Sequence, residues 1–160
     1  YGGGGSDWDK PGFESGTRLS AKDFFQIQEV HKFEPARGLM EKKEVDCVVC
    51  IDVLEHIFIS DIPKVVEELF SLAKKLLVVN VACYKAAALL PNGENAHCTV
   101  EPIGWWETMV ERYAPKKVYT HIKTSGNCNS YSILNEDLYM DFFLNNLKIN
   151  EKALDIRLKT

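Results

Sequence analysis

Three polar side chains crowd the end of one apolar run in the sequence. The run at 45–51 reads VDCVVCI, and Asp52, Glu55 and His56 follow it closely. Carboxylates accept hydrogen bonds from a ligand, and an imidazole can take up a proton near neutral pH. Asp52 could line a ligand pocket or only form the turn, and Glu55 and His56 could hydrogen-bond loop backbone, with His56 as a substrate-facing alternative.

Other candidates also follow apolar segments. Glu34 ends the alternating segment at 29–36, and Tyr84 opens a long irregular stretch, 84–104, that contains Asn95 and His97. Long loops in compact domains are often functional, so His97 is the first candidate for a general base and Tyr84 and Asn95 are candidates for substrate contact. The alternative for His97 is a histidine that holds the loop by hydrogen bonds.

A strand, a helix and a second strand must position these residues. The run at 45–51 predicts a strand buried on both faces, 60–75 predicts a helix, and 76–83 (LLVVNVAC) predicts another doubly buried strand. Such a βαβ unit implies parallel strands in an α/β sheet. Ligands bind beyond the carboxyl ends of such strands, where the polar residues lie.

The predicted helix at 60–75 carries its own end signals. Asp61 is a suitable N-cap, Pro63 suits the first turn, and Lys74 and Lys75 suit the negative end of the helix dipole.

The remaining segments give weaker patterns. Ser20 can cap a short helix over 20–28, and 105–114 predicts another helix. Two alternating segments predict antiparallel strands around a Gly126–Asn127 turn, and the end of the chain predicts a helix and a charged tail. The two segments of the antiparallel pair are 116–125 and 128–134, and the end of the chain is 135–160. The pattern also predicts a glycine-rich lead at 1–17 and a short strand at 29–36.

Composition limits the class of protein. The 160 residues carry a net charge of −4 and are 46% hydrophobic, which suits a single domain over 1–160. Scattered lysines and net negative charge argue against nucleic acid or an anionic membrane as partner. No apolar run approaches the ~20 residues of a transmembrane helix, so we predict a cytoplasmic protein of undetermined oligomeric state.

The cysteines favour reduced thiols. Five are present, an odd number, and mostly within apolar runs. Cys47 and Cys50 have metal or redox spacing, but residues three apart on a strand point to opposite faces, so their sulfurs should diverge. No zinc, nucleophile-elbow or phosphate-loop motif is present either, so metal-dependent, serine and nucleotide hydrolysis lack support. The sequence predicts no metal site.

Several of these segments together resemble class I S-adenosylmethionine-dependent methyltransferases. VDCVVCIDVLEHI resembles the fourth strand and turn of that family, VHKFEPA its second strand, and YGGGGSDW its cofactor loop. LPNGENAHCTVEPIGWW resembles a segment of a small-molecule branch that pairs N-A-H with a downstream W-W. The resemblance covers about residues 1–134 and implies a Rossmann-like three-layer α/β/α sheet, mostly parallel with an antiparallel C-terminal pair.

The resemblance implies roles for individual residues. S-adenosylmethionine would be the cofactor and a small molecule the methyl acceptor. Glu34 corresponds to the acid that holds the cofactor ribose, although a solvated surface acid is the alternative. Trp105 or Trp106 could wall the acceptor pocket, but only one of two consecutive helical residues can face it, and Trp105 is our candidate. The cofactor-binding residues implied are Gly2, Gly4, Glu34, Asp52 and Val53, and those for substrate are His56, Tyr84, Asn95 and Trp105.

The sequence departs from the family at two places. No apolar strand precedes the glycine run, and only eleven residues separate Glu34 from Asp46, so the third strand and the adenine loop should be shortened. GGGGS is also a common flexible linker. The alternatives are a methyltransferase-fold protein that binds cofactor or a partner without catalysis, and a nicotinamide oxidoreductase, which would require a final glycine that GGGGSDW lacks.

Overall fold

The computed structural model describes residues 1–13, 18–115, 118–125 and 130–134. The predicted Gly126–Asn127 turn and the C-terminal helix and tail at 135–160 lie outside the described residues. In chain order, the elements are α1 (Ala21–Phe24), β1 (Phe33–Glu34), β2 (Leu39–Met40), β3 (Val45–Ile51), α2 (Ile62–Leu72), β4 (Ala73–Ala82), α3 (Ile103–Tyr113), β5 (Tyr119–Ser125) and β6 (Ser130–Leu134), with 3-10 helices at Pro35–Arg37 and Leu54–His56.

A four-stranded sheet organises this mixed α/β fold. Its strand order is β3-β4-β5-β6, with β3–β4 and β4–β5 parallel and β5–β6 antiparallel. The predicted parallel βαβ unit and the antiparallel pair are therefore confirmed. The parallel strands end at one edge of the sheet, which brings the turn after β3 beside the loop after β4.

Helices α2 and α3 pack against each other and against the strands, so they cover the same face of the sheet. Alternate residues of the strands meet them, as the period of two requires. The main core consists of Val48, Cys50, Leu54, Ile62, Val66, Leu69, Phe70, Ala73, Leu77, Val79, Val81, Trp106, Val110, Val118 and Ile122. The described helices and sheet thus form two of the three predicted layers.

The prediction that 45–51 is buried on both faces is wrong for β3. Val48 and Cys50 are buried, whereas Cys47 and Val49 are only partly covered and Ile51 is exposed. β3 is the first strand in the order of the described sheet, and α2 covers only its Val48–Cys50 face. The central strand β4 is better covered, because it has a neighbour on each side.

The helix predicted at 60–75 is shorter than its pattern. α2 ends at Leu72, and Ala73 already pairs with Val45 in the sheet. Lys74 and Lys75 therefore lie in β4 and cannot serve the helix dipole; Lys75 Nζ is instead 3.0 Å from Asp46 Oδ2. Asp61 occupies the N-cap position, but its side chain makes no capping hydrogen bond.

The N-terminal elements are also shorter than predicted. Only Phe33–Glu34 of the segment 29–36 forms a strand, and it pairs with Leu39–Met40 in a separate antiparallel sheet. Pro35 starts a 3-10 helix, and Pro lacks the N–H that a continuing strand would use. The segment between Glu34 and β3 thus holds a 3-10 helix and a two-residue strand, without the helix of a full crossover.

The helix predicted over 20–28 covers only Ala21–Phe24. Its predicted cap is confirmed: Ser20 Oγ accepts from the backbone N–H of Asp23, whose carboxylate reaches back to Ser20. The helix ends because Gln26 adopts a left-handed conformation with φ of 53°. Among the described residues, no helix has both the length and the apolar character needed to cross a bilayer.

Candidate functional site

The glycine-rich start of the chain is folded onto two strands. The backbone nitrogen of Tyr1 donates to the carbonyl oxygen of Val49 at 2.9 Å, and Gly2 N donates to Phe33 O at 2.8 Å. Gly4 N then donates to Glu34 Oε2 at 2.7 Å. The loop therefore contacts both β1 and β3, and it binds the acid at the carboxyl end of β1.

Glycine is required at position 2 for two independent reasons. Its φ is +64°, in the left-handed region, and a Cβ there would come within 2.5 Å and 2.7 Å of the two γ-methyl carbons of Val53. Gly4 has a φ of +51°, but a Cβ there would meet no atom within 4 Å. Gly2 thus packs directly on the turn after β3, and Gly4 is needed only for its backbone conformation.

Asp52 is held at the end of β3 by its neighbour in the sheet. Its backbone N–H donates to Asn80 O at 3.0 Å, and its carboxylate oxygen Oδ1 accepts from Asn80 Nδ2 at 2.8 Å. Asp52 has a φ of +53°, a conformation that few residues other than Gly, Asn and Asp adopt readily. These contacts fix the chain direction just before Val53.

Glu55 is a carboxylate inside the protein. It is 0% exposed, its Oε1 accepts from the backbone N–H of Ala82 at 3.1 Å, and its backbone carbonyl accepts from Thr99 N at 3.0 Å. Its Oε2 is buried and has no hydrogen-bond partner among the described residues. Burial raises the pKa of Glu55, because the charged form loses hydration.

His56 and His97 are fixed by main-chain carbonyls. His56 Nδ1 lies 2.8 Å from Ala96 O, and His97 Nδ1 bonds to Tyr84 O. A carbonyl oxygen can only accept, so Nδ1 carries a proton in each ring, and the neutral tautomer that fits this hydrogen bond has its lone pair on Nε2. The two rings meet edge to face with centroids 4.8 Å apart. The hydrogen bonds predicted to connect these histidines with loop backbone are therefore present.

Glu55, His56 and His97 form one cluster. Each offers a ligand atom, and these atoms all lie within 4.8 Å of one another. The sequence predicted no metal site and treated Glu55 as structural. The sequence did contain the three residues at the ends of neighbouring strands, as Glu55–His56 after β3 and as His97 in the loop after β4. No short motif contains all three, so nothing in the sequence directly indicated that they form one cluster.

Tyr84 and Asn95, two of the other predicted substrate residues, contact His97. Asn95 Oδ1 accepts from the backbone N–H groups of Ala86 and His97, and its Nδ2 donates to Ala86 O, so its amide holds the loop closed. The Tyr84 ring is half exposed and lies 5.6 Å from the His97 ring. A shallow pocket of about 260 Å³ adjoins the cluster, lined by Phe58, Glu94, Asn95, His97 and Cys98.

Trp105 and Trp106 take different environments, as helical geometry predicts. Trp106 is 0% exposed in the core, whereas Trp105 is only partly buried and packs edge to face on it at 4.9 Å.

The C-x-x-C cysteines on β3 form no disulfide. Cys47 and Cys50 are both free, and burial raises the pKa of each thiol to about 12. Cys50 lies in the main core, whereas Cys47 is only partly covered and does not belong to it. Protonated thiols are weak nucleophiles and poor metal ligands at neutral pH, so the pair has the properties of structural cysteines.

No family model matches the chain, and no curated protein or solved structure is significantly similar to it.

Proposed function

We propose that this chain is an S-adenosylmethionine-dependent methyltransferase that acts on a small-molecule acceptor. One observation carries the proposal: the glycine loop contacts both Glu34, the acid that ends β1, and the turn after β3. Gly4 binds Glu34 and Gly2 packs on Val53, with Asp52 beside it. These are the five residues to which the family resemblance assigns cofactor binding.

The chemistry of these residues fits the cofactor. A ribose offers two hydroxyl donors, and Glu34 Oε1 makes no hydrogen bond to a described residue, while Gly4 fixes the other carboxylate oxygen. Without a side chain at position 2, the loop approaches the β3 turn closely, as a loop must to wrap a ligand. Glu34 and Asp52 contribute negative charge that favours a cationic ligand, while the Arg37 guanidinium lies against Gly5 in the same loop.

Bound cofactor would supply an electrophilic methyl group on a sulfonium. Transfer of that group is an in-line displacement, so catalysis depends mainly on alignment of the acceptor with the methyl carbon. The loop at 84–104 would set that alignment, with Tyr84 and Asn95 at its base and Trp105 at its end. An acceptor hydroxyl or amine must also lose a proton, and His97 Nε2 has the lone pair to accept it.

Calorimetric titration tests the cofactor assignment. We expect S-adenosylmethionine and S-adenosylhomocysteine, but not NAD, to bind the wild-type chain. Glu34→Ala should weaken that binding by about tenfold or more, because charge-assisted hydrogen bonds contribute about 1.5–3 kcal/mol. Glu44→Ala is the matched control, since Glu44 is an exposed acid at the amino end of β3, away from the carboxyl ends of the strands, and should leave the affinity unchanged.

Binding of NAD alone, or of none of the three compounds, would refute the proposal. Equal affinity in the wild type and Glu34→Ala would refute the ribose contact. Cofactor binding without turnover on any acceptor would instead support a non-catalytic cofactor-binding protein.

A further inference from the structure

We propose that Glu55, His56 and His97 bind a divalent first-row transition-metal ion. Two imidazoles and one carboxylate form a ligand set used by zinc and non-haem iron sites. The three ligand atoms lie within 4.8 Å of one another. Ligands about 2.1 Å from a shared ion would lie about 3.4 Å apart in a tetrahedral arrangement, so these separations would shorten by up to about 1.4 Å when an ion binds.

The histidines are prepared for metal binding before any ion arrives. Each donates its Nδ1 proton to a main-chain carbonyl, which leaves Nε2 free for the ion. Histidine ligands in metal sites usually make this second hydrogen bond, because it fixes the tautomer and the ring orientation. The carbonyls belong to Tyr84, which opens the 84–104 loop, and to Ala96 within it, so the fold of that loop orients both rings.

Glu55 provides the independent evidence. A fully buried carboxylate with one unpartnered oxygen is costly, and its pKa is raised by burial. Among the described residues, no lysine or arginine forms an ion pair with it. A bound cation would give Oε2 a partner and compensate the buried charge.

Two nitrogen ligands set the expected metal preference. Imidazole favours Zn²⁺, Fe²⁺, Co²⁺ and Ni²⁺, whereas Mg²⁺ and Ca²⁺ prefer oxygen ligands. Three protein ligands also leave at least one coordination position for water or a ligand oxygen. His97 lines the neighbouring pocket, so a molecule in that pocket could reach the open position.

If the proposed methyltransferase function holds, the ion would bind an oxygen of the acceptor. Metal binding and proton acceptance use the same lone pair of His97, so the metal-bound protein cannot use that histidine as a base. The ion would lower the pKa of a coordinated hydroxyl, whose proton would pass to solvent water as the oxygen takes the methyl group and S-adenosylhomocysteine leaves. This step rests on the proposed function, but metal binding itself does not.

Titration of the metal-free chain with Zn²⁺, Co²⁺ and Mg²⁺ tests the site without an activity assay. We expect binding of one Zn²⁺ or Co²⁺ and much weaker binding of Mg²⁺. His56→Ala and His97→Ala should each weaken Zn²⁺ binding by at least about 10–100-fold. Loss of a group that only hydrogen-bonds a metal ligand already costs that much, and these substitutions remove a ligand itself. His31→Ala is the matched control, because His31 contacts Glu29 and Glu41 away from the cluster.

The cobalt absorption spectrum identifies the ligands. Imidazole and carboxylate ligation gives ligand-field bands without the thiolate charge-transfer absorption that Cys98 or another cysteine would cause. Glu55→Gln keeps the shape of the side chain and should also weaken binding, with circular dichroism as the check on folding. The proposal is overturned by absent Zn²⁺ and Co²⁺ binding, by thiolate absorption, or by folded His56→Ala and His97→Ala proteins with wild-type affinity. Failure here leaves the calorimetric test of S-adenosylmethionine binding unaffected.

Discussion

Substitution of Gly2 by alanine should be far more damaging than the same change at Gly4. Both glycines have positive φ, so alanine at either position carries a conformational cost of about 1–2 kcal/mol. Only at Gly2 would the new Cβ also collide with Val53, at 2.5 Å and 2.7 Å from its γ carbons. Such overpacking adds about 1–3 kcal/mol.

We therefore expect Gly2→Ala to lower the free energy of unfolding by about 2–5 kcal/mol and Gly4→Ala by about 1–2 kcal/mol. Urea unfolding followed by circular dichroism measures both values by linear extrapolation. A Val53→Ala substitution in the Gly2→Ala background removes the colliding methyl groups. The double-mutant cycle should then show a favourable coupling of about 1–3 kcal/mol.

Equal destabilisation by Gly2→Ala and Gly4→Ala would refute the close packing of Gly2 on Val53. That packing is also refuted if the cycle gives no coupling between positions 2 and 53, since the loop would then not pack on the β3 turn in solution. The same variants report on function, because loss of that packing should weaken S-adenosylmethionine binding in Gly2→Ala more than in Gly4→Ala.

Two further predictions concern the core strand and the long loop. Burial raises the pKa of Cys50 in the folded protein to about 12, against about 9 in the unfolded chain. The free energy of unfolding is therefore unaffected by ionisation of Cys50 below about pH 9 and falls as pH rises from 9 toward 12, because only the unfolded chain loses the thiol proton there. Between pH 7 and pH 10 the wild type should lose about 1.4 kcal/mol more stability than Cys50→Ala in urea unfolding, and equal losses would contradict this. Asn95→Ala removes three hydrogen bonds to loop backbone, so amide exchange at 84–97 should accelerate, while exchange in α2 stays unchanged; an unaltered loop would show that the amide does not hold it.

The local patterns of the sequence determined the framework of the fold. The bounds of β3 agree with the apolar run at 45–51, and the βαβ unit and antiparallel pair follow from periodicities within each segment. Ser20 forms its predicted cap because a capping box needs only residues three apart. Element ends were less predictable: α2 stops at Leu72 because Ala73 pairs with Val45, a partner remote in sequence.

Only the tertiary structure decided which polar residues share a site. The sequence does not show that Glu55 Oε2 lacks a hydrogen-bond partner, because that depends on all the residues that surround the oxygen in the fold. The contact of Gly2 with Val53 and the approach of His97 to His56 join segments far apart in the chain. The sequence indicated that polar residues gather at the strand ends, but the distances that distinguish a metal-binding cluster from separate turn residues exist only once the sheet is assembled.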